Sequence, residues 1–172
     1  MPAQADRREE NEEMILHLTK NEKDRLYEAL APYLEDTTVQ QMDSYIQHGN
    51  VTTLEHVLRV TETSVALNRS LHVHADEEVL RVGALLHDYY LYDWHGRSLK
   101  YANHGFVHPE IARKNAAEHF QATPEVQAVI RTHMWPFTLL HVPKSREAVL
   151  VCVADKYCSL TETLFHRGGK RT

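Results

Sequence analysis

The chain has 172 residues, a length that suits one domain with a full hydrophobic core. Its formal net charge is −5 and it carries no basic stripe, which argues against a nucleic-acid duplex as partner. No apolar stretch approaches the roughly 18 residues of a membrane span, and no secretory signal is visible. We therefore expect a cytoplasmic protein without a membrane partner, in which Cys152 and Cys158 are reduced thiols.

Capping signals predict the first helices. A threonine followed three residues later by Glu or Gln occurs at Thr19, Thr38 and Thr52, and this spacing is typical of a helix N-terminus. Gly49 is typical of the residue that ends the second of these helices. The next helix is expected to begin near Asp76 and to carry an apolar run into His87.

The second half of the chain predicts further helices. The helical periodicity fails between Tyr89 and His108, where we expect an irregular loop. Pro109 suits the first turn of the following helix, Thr123 caps the one after it, and the last long helix begins near Ser145. No alternating run of strand length is present, so the sequence predicts an all-α fold. We expect a single helical domain over residues 14–166, a disordered N-terminus over residues 1–13 and a loose tail over residues 167–172.

Polar side chains occupy core-facing positions on three of the predicted helices. His87 shares a helix face with Leu80 and Ala84, and His133 and Asp155 lie on the apolar stripes of their own helices. A buried charge without a partner costs several kcal/mol. A core of this size has little room for three separate buried polar sites, and one shared cluster satisfies all of them.

His56 and His108 extend this cluster, because each lies at the start of a predicted helix. With Asp88, the set contains four imidazoles and two carboxylates, which suit Fe, Mn, Zn or Co better than Ca or Mg. Six side chains are too many for one catalytic ion that keeps a position open for water, and are about right for two ions. Such a centre stays cationic and should attract an anion such as a phosphate ester.

The ordered motif resembles that of a known family. His56, His87-Asp88 and Asp155 resemble the His, His-Asp and distant Asp of the HD superfamily of metal-dependent phosphohydrolases. His108 and His133 match the two further histidines of its binuclear branch. No Gly-Tyr-Pro follows the motif, so the cyclic-di-GMP branch is not expected.

This resemblance implies an HD-domain-like helical bundle with extra N-terminal helices and a metal site within about residues 50–165. It implies hydrolysis of a phosphate ester or anhydride with His87 and Asp88 at the catalytic centre. The cofactors would be two divalent ions, Fe in the first place, with Mn, Zn, Co or Ni as alternatives. Asp88 would bridge them, and the ligands divide into His56, His87 and Asp155 for one ion and His108 and His133 for the other.

Substrate contacts are expected from three further residues. His104, Lys156 and Arg59 are close enough in sequence to the ligands to bind an anion. The expected substrate is a small phosphorylated molecule, a nucleotide being one candidate. The remaining histidines match no ligand position and are expected at the surface: His48, His72, His74, His95, His119, His141 and His166.

Two other functions use the same residues. Some HD-fold proteins with these six ligands hold a mixed-valence di-iron centre and act as oxygenases. A non-catalytic module that binds a nucleotide and signals to a partner is the other alternative, although the complete ligand set argues against it. The N-terminal helices suggest a homodimer as one form of assembly.

Overall fold

A computed structural model of the chain describes residues 16–94 and 103–165. Within these ranges the secondary structure is helical apart from one short hairpin, which confirms the all-α prediction. The expectations for residues 1–13 and 167–172 lie outside the described residues, and the domain limits stay a prediction. The helices are α1 (Lys20–Leu34), α2 (Thr37–Gln40), α3 (Thr53–Ser70), α4 (Glu77–Leu86), α5 (His104–Phe120), α6 (Pro124–Thr132) and α7 (Arg146–Phe165).

Most of the predicted helix N-termini are confirmed by their hydrogen bonds. At α3, Thr52 Oγ1 accepts from the Glu55 N–H at 3.1 Å, and the Glu55 carboxylate accepts from the Thr52 N–H at 2.8 Å. Thr19 forms the equivalent capping box at α1. Asp76 and Thr123 cap α4 and α6 through side-chain oxygens, which satisfy backbone donors that have no partner within the helix.

The helix predicted after Thr38 is wrong. Asp36 is the N-cap instead, and its carboxylate accepts from the Thr38 N–H at 2.8 Å, so α2 starts earlier and lasts four residues. After a short 3₁₀ turn, the strands β1 (Ile46–His48) and β2 (Val51–Thr52) pair as an antiparallel hairpin. Gly49, with φ of 60°, lies in the hairpin turn, where a positive φ favours glycine.

The start of α5 also differs from the prediction. The helix begins at His104, so Pro109 lies inside it rather than in its first turn. One helical turn forms before the proline, which lacks only its own N–H bond to the preceding turn. His104 and His108 consequently lie one turn apart, and their rings stack with centroids 4.5 Å apart.

Close packing of α4 against α6 brings two of the predicted ligands together. A Cβ added to Gly83 would lie 2.7 Å from Val129 Cγ1, so only glycine allows this approach. His87 and His133 are the C-cap residues of these two helices. Their ring centroids lie 4.8 Å apart as a result.

The hydrophobic core surrounds α3, which packs against both α4 and α7. Fully buried side chains from several helices fill it, among them Leu30, Val57, Leu86, Ile130 and Val151. Among the helices of residues 16–94 and 103–165, none combines the length and apolar character of a membrane span.

Candidate metal centre

The structure brings all six predicted ligands into one buried cluster around Asp88. Asp88 Oδ1 lies 3.2 Å from His108 Nε2 and 3.5 Å from His133 Nε2. Asp88 Oδ2 lies 3.4 Å from His87 Nε2 and 3.9 Å from His56 Nε2. Each of these side chains is buried, and Asp88, two residues after the end of α4, is the common neighbour of the four imidazoles.

The four histidines share one orientation, in which Nδ1 is bound on the outside and Nε2 faces the centre. Each Nδ1 donates to an oxygen that can only accept, so Nδ1 keeps its proton, and Nε2 is the nitrogen whose lone pair can bind a metal once Nε2 is deprotonated. Three of the acceptors are main-chain oxygens: Ala84 for His87 at 2.7 Å, Ile130 for His133 at 2.7 Å and His104 for His108 at 2.9 Å. The acceptor for His56 is the Glu162 carboxylate, at 2.8 Å.

The ligand atoms form two groups that share Asp88. One group joins Asp88 to His56 and His87 and the other joins it to His108 and His133, with all atoms of a group within 4.8 Å of one another. Asp155 on α7 adds to the first group, because its Oδ1 lies 3.2 Å from His56 Nε2 and 3.8 Å from His87 Nε2. This grouping is compatible with the two ligand sets that the resemblance implies, and the assignment of ligands to two ions stays a prediction.

Unpaired polar atoms inside the cluster fit a metal centre. Within the described ranges, His87 Nε2 and Asp88 Oδ1 are buried and have no hydrogen-bond partner. His108 Nε2 and His133 Nε2 lie 2.9 Å apart, and two lone pairs would face each other there unless a cation or a proton lies between them. Buried polar groups of this kind are costly without a partner, and an ion that both groups coordinate supplies it.

The charges of the metal-free cluster also indicate a cation site. Burial lowers the pKa of His56, but hydrogen bonds to Asp155 and Glu162 outweigh it and raise the pKa to about 9. Burial likewise opposes the charge on His87, yet the Asp88 and Asp155 carboxylates raise its pKa to about 10. Burial would raise the pKa of Asp88, but the charge of His87 holds it well below its usual range. Protons on His56 and His87 therefore take the place of cations at neutral pH.

His133 is neutral in the metal-free cluster, unlike His56 and His87. Burial and the positive charge of His87 lower the pKa of His133 to about 3. The imidazole is therefore neutral at pH 7, as a metal ligand must be.

Three residues of the site were missed by the sequence analysis. Gln47 on β1 donates to Asp88 Oδ2 at 2.5 Å and accepts from the Tyr90 hydroxyl. His48, expected at the surface, is half-buried on the wall of the cavity above Asp88, because the hairpin turns it inward. Glu162 is fully buried behind His56, and its place seven residues after Asp155, on the same helix face, is the signal that could have identified it.

A cavity of about 820 Å³ opens onto the cluster. His104 and Lys156, two of the predicted substrate contacts, line it, and Lys156 Nζ donates to the His133 carbonyl at 2.7 Å. Arg59 is not on its wall, because its guanidinium binds Glu162 at 2.8 Å, and its role toward substrate stays a prediction. Apolar side chains, including Trp94 and Phe137, form another part of the wall.

Comparison with known proteins agrees with this geometry. The HD domain family model matches residues 53–160, more than half of the chain, and contains all six ligands. The protein belongs to the HD-domain family, whose members are typically metal-dependent hydrolases that bind divalent ions. No curated protein and no solved structure matches the chain significantly. Gln47, His48 and Glu162 lie outside the matched segment.

Proposed function

We propose that the protein is a phosphohydrolase that uses two divalent ions to cleave a phosphate ester or anhydride of a small metabolite. The observation that carries the proposal is the pair of ligand groups sharing Asp88 at the base of an open cavity. The six candidate ligands would hold two ions, which would supply an activated water near neutral pH and positive charge for the phosphoryl oxygens. Both effects suit the attack of water on phosphorus.

The residues of the chain have distinct roles in this scheme. Asp88 and His87 hold the reacting centre, since Asp88 faces both groups and His87 directs an unpaired Nε2 into it. Lys156 brings a positive charge to the cavity wall, 3.7 Å from Asp155 Oδ2, where it can bind a phosphate oxygen. His104, one turn before His108, is placed to contact the same anion.

The substrate class follows from the size and lining of the cavity. Small-molecule sites are commonly about 300–1,000 Å³, and the volume here fits a phosphorylated metabolite of nucleotide size. The ring of Trp94 stacks on His104 with an interplanar angle of 4°, which presents a flat apolar surface beside the ligand cluster. A nucleotide therefore remains a candidate substrate.

The proposed ions are Fe in the first place, with Mn, Zn, Co or Ni as alternatives. Four imidazoles and two carboxylates support a first-row transition metal, because Mg and Ca favour oxygen ligands. A cytoplasmic location is also proposed, and the free thiols of Cys152 and Cys158 support it.

The test combines metal content with phosphate release. Protein purified without chelator or affinity metal is expected to hold about two ions per chain and to release phosphate from one member of a panel. The panel contains phosphomonoesters, dinucleoside polyphosphates and cyclic nucleotides. Asp88→Asn should lose both ions and activity, whereas Asp24→Asn, which alters an exposed carboxylate paired with Lys20, should keep both.

Three outcomes would contradict the proposal. Turnover retained by Asp88→Asn removes the shared-ligand scheme, and absence of phosphate release with every loaded metal removes the hydrolase. Oxygen consumption without phosphate release would replace it with the di-iron oxygenase.

A further inference from the structure

Glu162 on α7 is a buried carboxylate that accepts hydrogen bonds from two side chains, His56 and Arg59. Its side chain has no exposed surface. His56 Nδ1 donates to Oε2 at 2.8 Å, and the Arg59 guanidinium donates to Oε1 at 2.8 Å. Charge-assisted hydrogen bonds to both oxygens satisfy a carboxylate that would otherwise be costly to bury.

This arrangement distinguishes His56 from the other three imidazoles. His87, His108 and His133 are oriented by neutral main-chain carbonyls of their own helical turns. His56 is oriented by a charged side chain 106 residues further along the chain. A carboxylate behind a ligating imidazole fixes the ring and raises the basicity of its metal-binding nitrogen.

The two ligand groups therefore differ in negative charge. The group of His56 has Asp155 beside it and Glu162 behind it, in addition to the shared Asp88. Among the described residues, the group of His108 and His133 has only the shared Asp88 as a carboxylate neighbour within 4 Å of its Nε2 atoms. More negative charge and a fixed imidazole both favour a cation at the first group.

We propose that Glu162, held by Arg59, is a positioning residue that orients His56 and makes its ligand group the tighter of the two metal sites. This inference rests on the proposed two-ion centre. It predicts ordered loading, in which the first ion enters the group of His56 and the second enters the group of His108.

Calorimetric titration of the metal-free protein with Mn²⁺ tests the inference. The unmodified chain should show two binding events of unequal affinity. Glu162→Gln should weaken the tighter event 10–100-fold, the usual effect of removing a partner of a ligating histidine, and leave the weaker one nearly unchanged. Glu118→Gln, on the exposed part of α5, is the matched control and should change neither constant.

Glutamine is informative because both neighbours of Glu162 donate hydrogen bonds. In the amide, an NH2 group replaces one of the two carboxylate oxygens, so either His56 or Arg59 faces a donor in place of its acceptor. Unchanged constants in Glu162→Gln, or equal weakening of both events, would overturn the inference. Thermal melts of each variant separate loss of affinity from loss of fold.

A spectroscopic measurement reads the orientation of His56 without any reaction. In protein loaded with diamagnetic Zn²⁺, the His56 Nδ1–H should give a protected imidazole proton resonance. Glu162→Ala should abolish this resonance, and Glu162→Gln should restore it in part because the amide oxygen still accepts. Persistence of the resonance in Glu162→Ala would contradict the positioning role.

Failure of the two-ion function would be distinguishable from failure of this inference. A chain that binds a single ion refutes the two-ion centre, but the effect of Glu162→Gln on that ion and on the Nδ1–H resonance still tests the role of Glu162. A chain that binds two ions and hydrolyses nothing refutes the hydrolase and leaves the titration valid.

Discussion

The contact between α4 and α6 gives a sharp test of how the fold positions the metal centre. Gly83 lies in the middle of α4, and alanine at this position would bring its Cβ to 2.7 Å from Val129 Cγ1 and 2.9 Å from Val129 Cβ. Gly83→Ala must therefore push the two helices apart or distort Val129. Because His87 and His133 cap these helices, the variant should also disturb their spacing.

The expected magnitude follows from two opposing terms. Alanine in place of glycine inside a helix stabilises by about 1 kcal/mol. Overpacking in a close-packed core costs about 1–3 kcal/mol. The net result should be a loss of up to about 2 kcal/mol in the free energy of unfolding, accompanied by weaker metal binding.

Urea denaturation of a double-mutant cycle measures these terms. Val129→Ala removes the Cγ1 atom that the new Cβ would meet at 2.7 Å but keeps the Val129 Cβ at 2.9 Å, so Gly83→Ala should be less harmful, although not neutral, in the Val129→Ala background. A favourable coupling of at least about 1 kcal/mol is expected. If Gly83→Ala stabilises the chain by the full helix-propensity term, or if the cycle shows no coupling, the packing argument is wrong.

Three further predictions concern charge and hydrogen bonding. At pH 7, metal loading should release protons and the apparent affinity should rise with pH, because ions displace protons from His56 and His87, whose pKa values are about 9 and 10. Calorimetry in buffers of different ionisation enthalpy measures the proton release, and loading without any release of protons would contradict the prediction. The hydrogen bond from Arg69 lowers the pKa of Glu22 to about 2, so its stabilisation is present above pH 4.5 and is lost as the pH falls toward 2. Glu22→Gln should therefore lower the free energy of unfolding by about 1 kcal/mol at pH 7, and the thermal melts of variant and parent should converge near pH 2. An equal difference between variant and parent at pH 7 and at pH 2 would refute the role of the Glu22 charge. Gln47→Leu should destabilise the fold by about 1–3 kcal/mol and weaken metal binding, since it leaves Asp88 Oδ2 without the Gln47 donor at 2.5 Å. A thermal melt and a metal titration that both match the parent would disprove this prediction.

The sequence was sufficient to predict that the six candidate ligands lie together, because each lies within a helix or within two residues of its end. Buried histidine and aspartate at core-facing positions are unusual enough that their recurrence on several helices predicted one cluster. His87 and Asp155 illustrate this, since apolar neighbours at helical spacing surround both.

The missed residues depend on contacts that helical periodicity does not encode. Gln47 and His48 come from a three-residue strand, and a strand of that length has too few positions to show alternation. Glu162 obtains its role from His56, 106 residues away, although its register with Asp155 was visible. The capping pattern at Thr38 competes with Asp36 two residues earlier, and because Asp36 is the N-cap, the hairpin forms where the pattern predicts a helix.

The C-cap positions of His87 and His133 have a consequence for the selectivity of the centre. Both α4 and α6 end at the cluster, so the negative ends of two helix dipoles point into it. Each end favours a nearby cation by about 0.3–1 kcal/mol, and by up to about 2 kcal/mol when partly buried. This preference belongs to the backbone and would persist if the ligand side chains were replaced. The scaffold itself thus disfavours a bare anion at this position, so the anionic substrate that we propose would depend on the proposed ions for its place in the site.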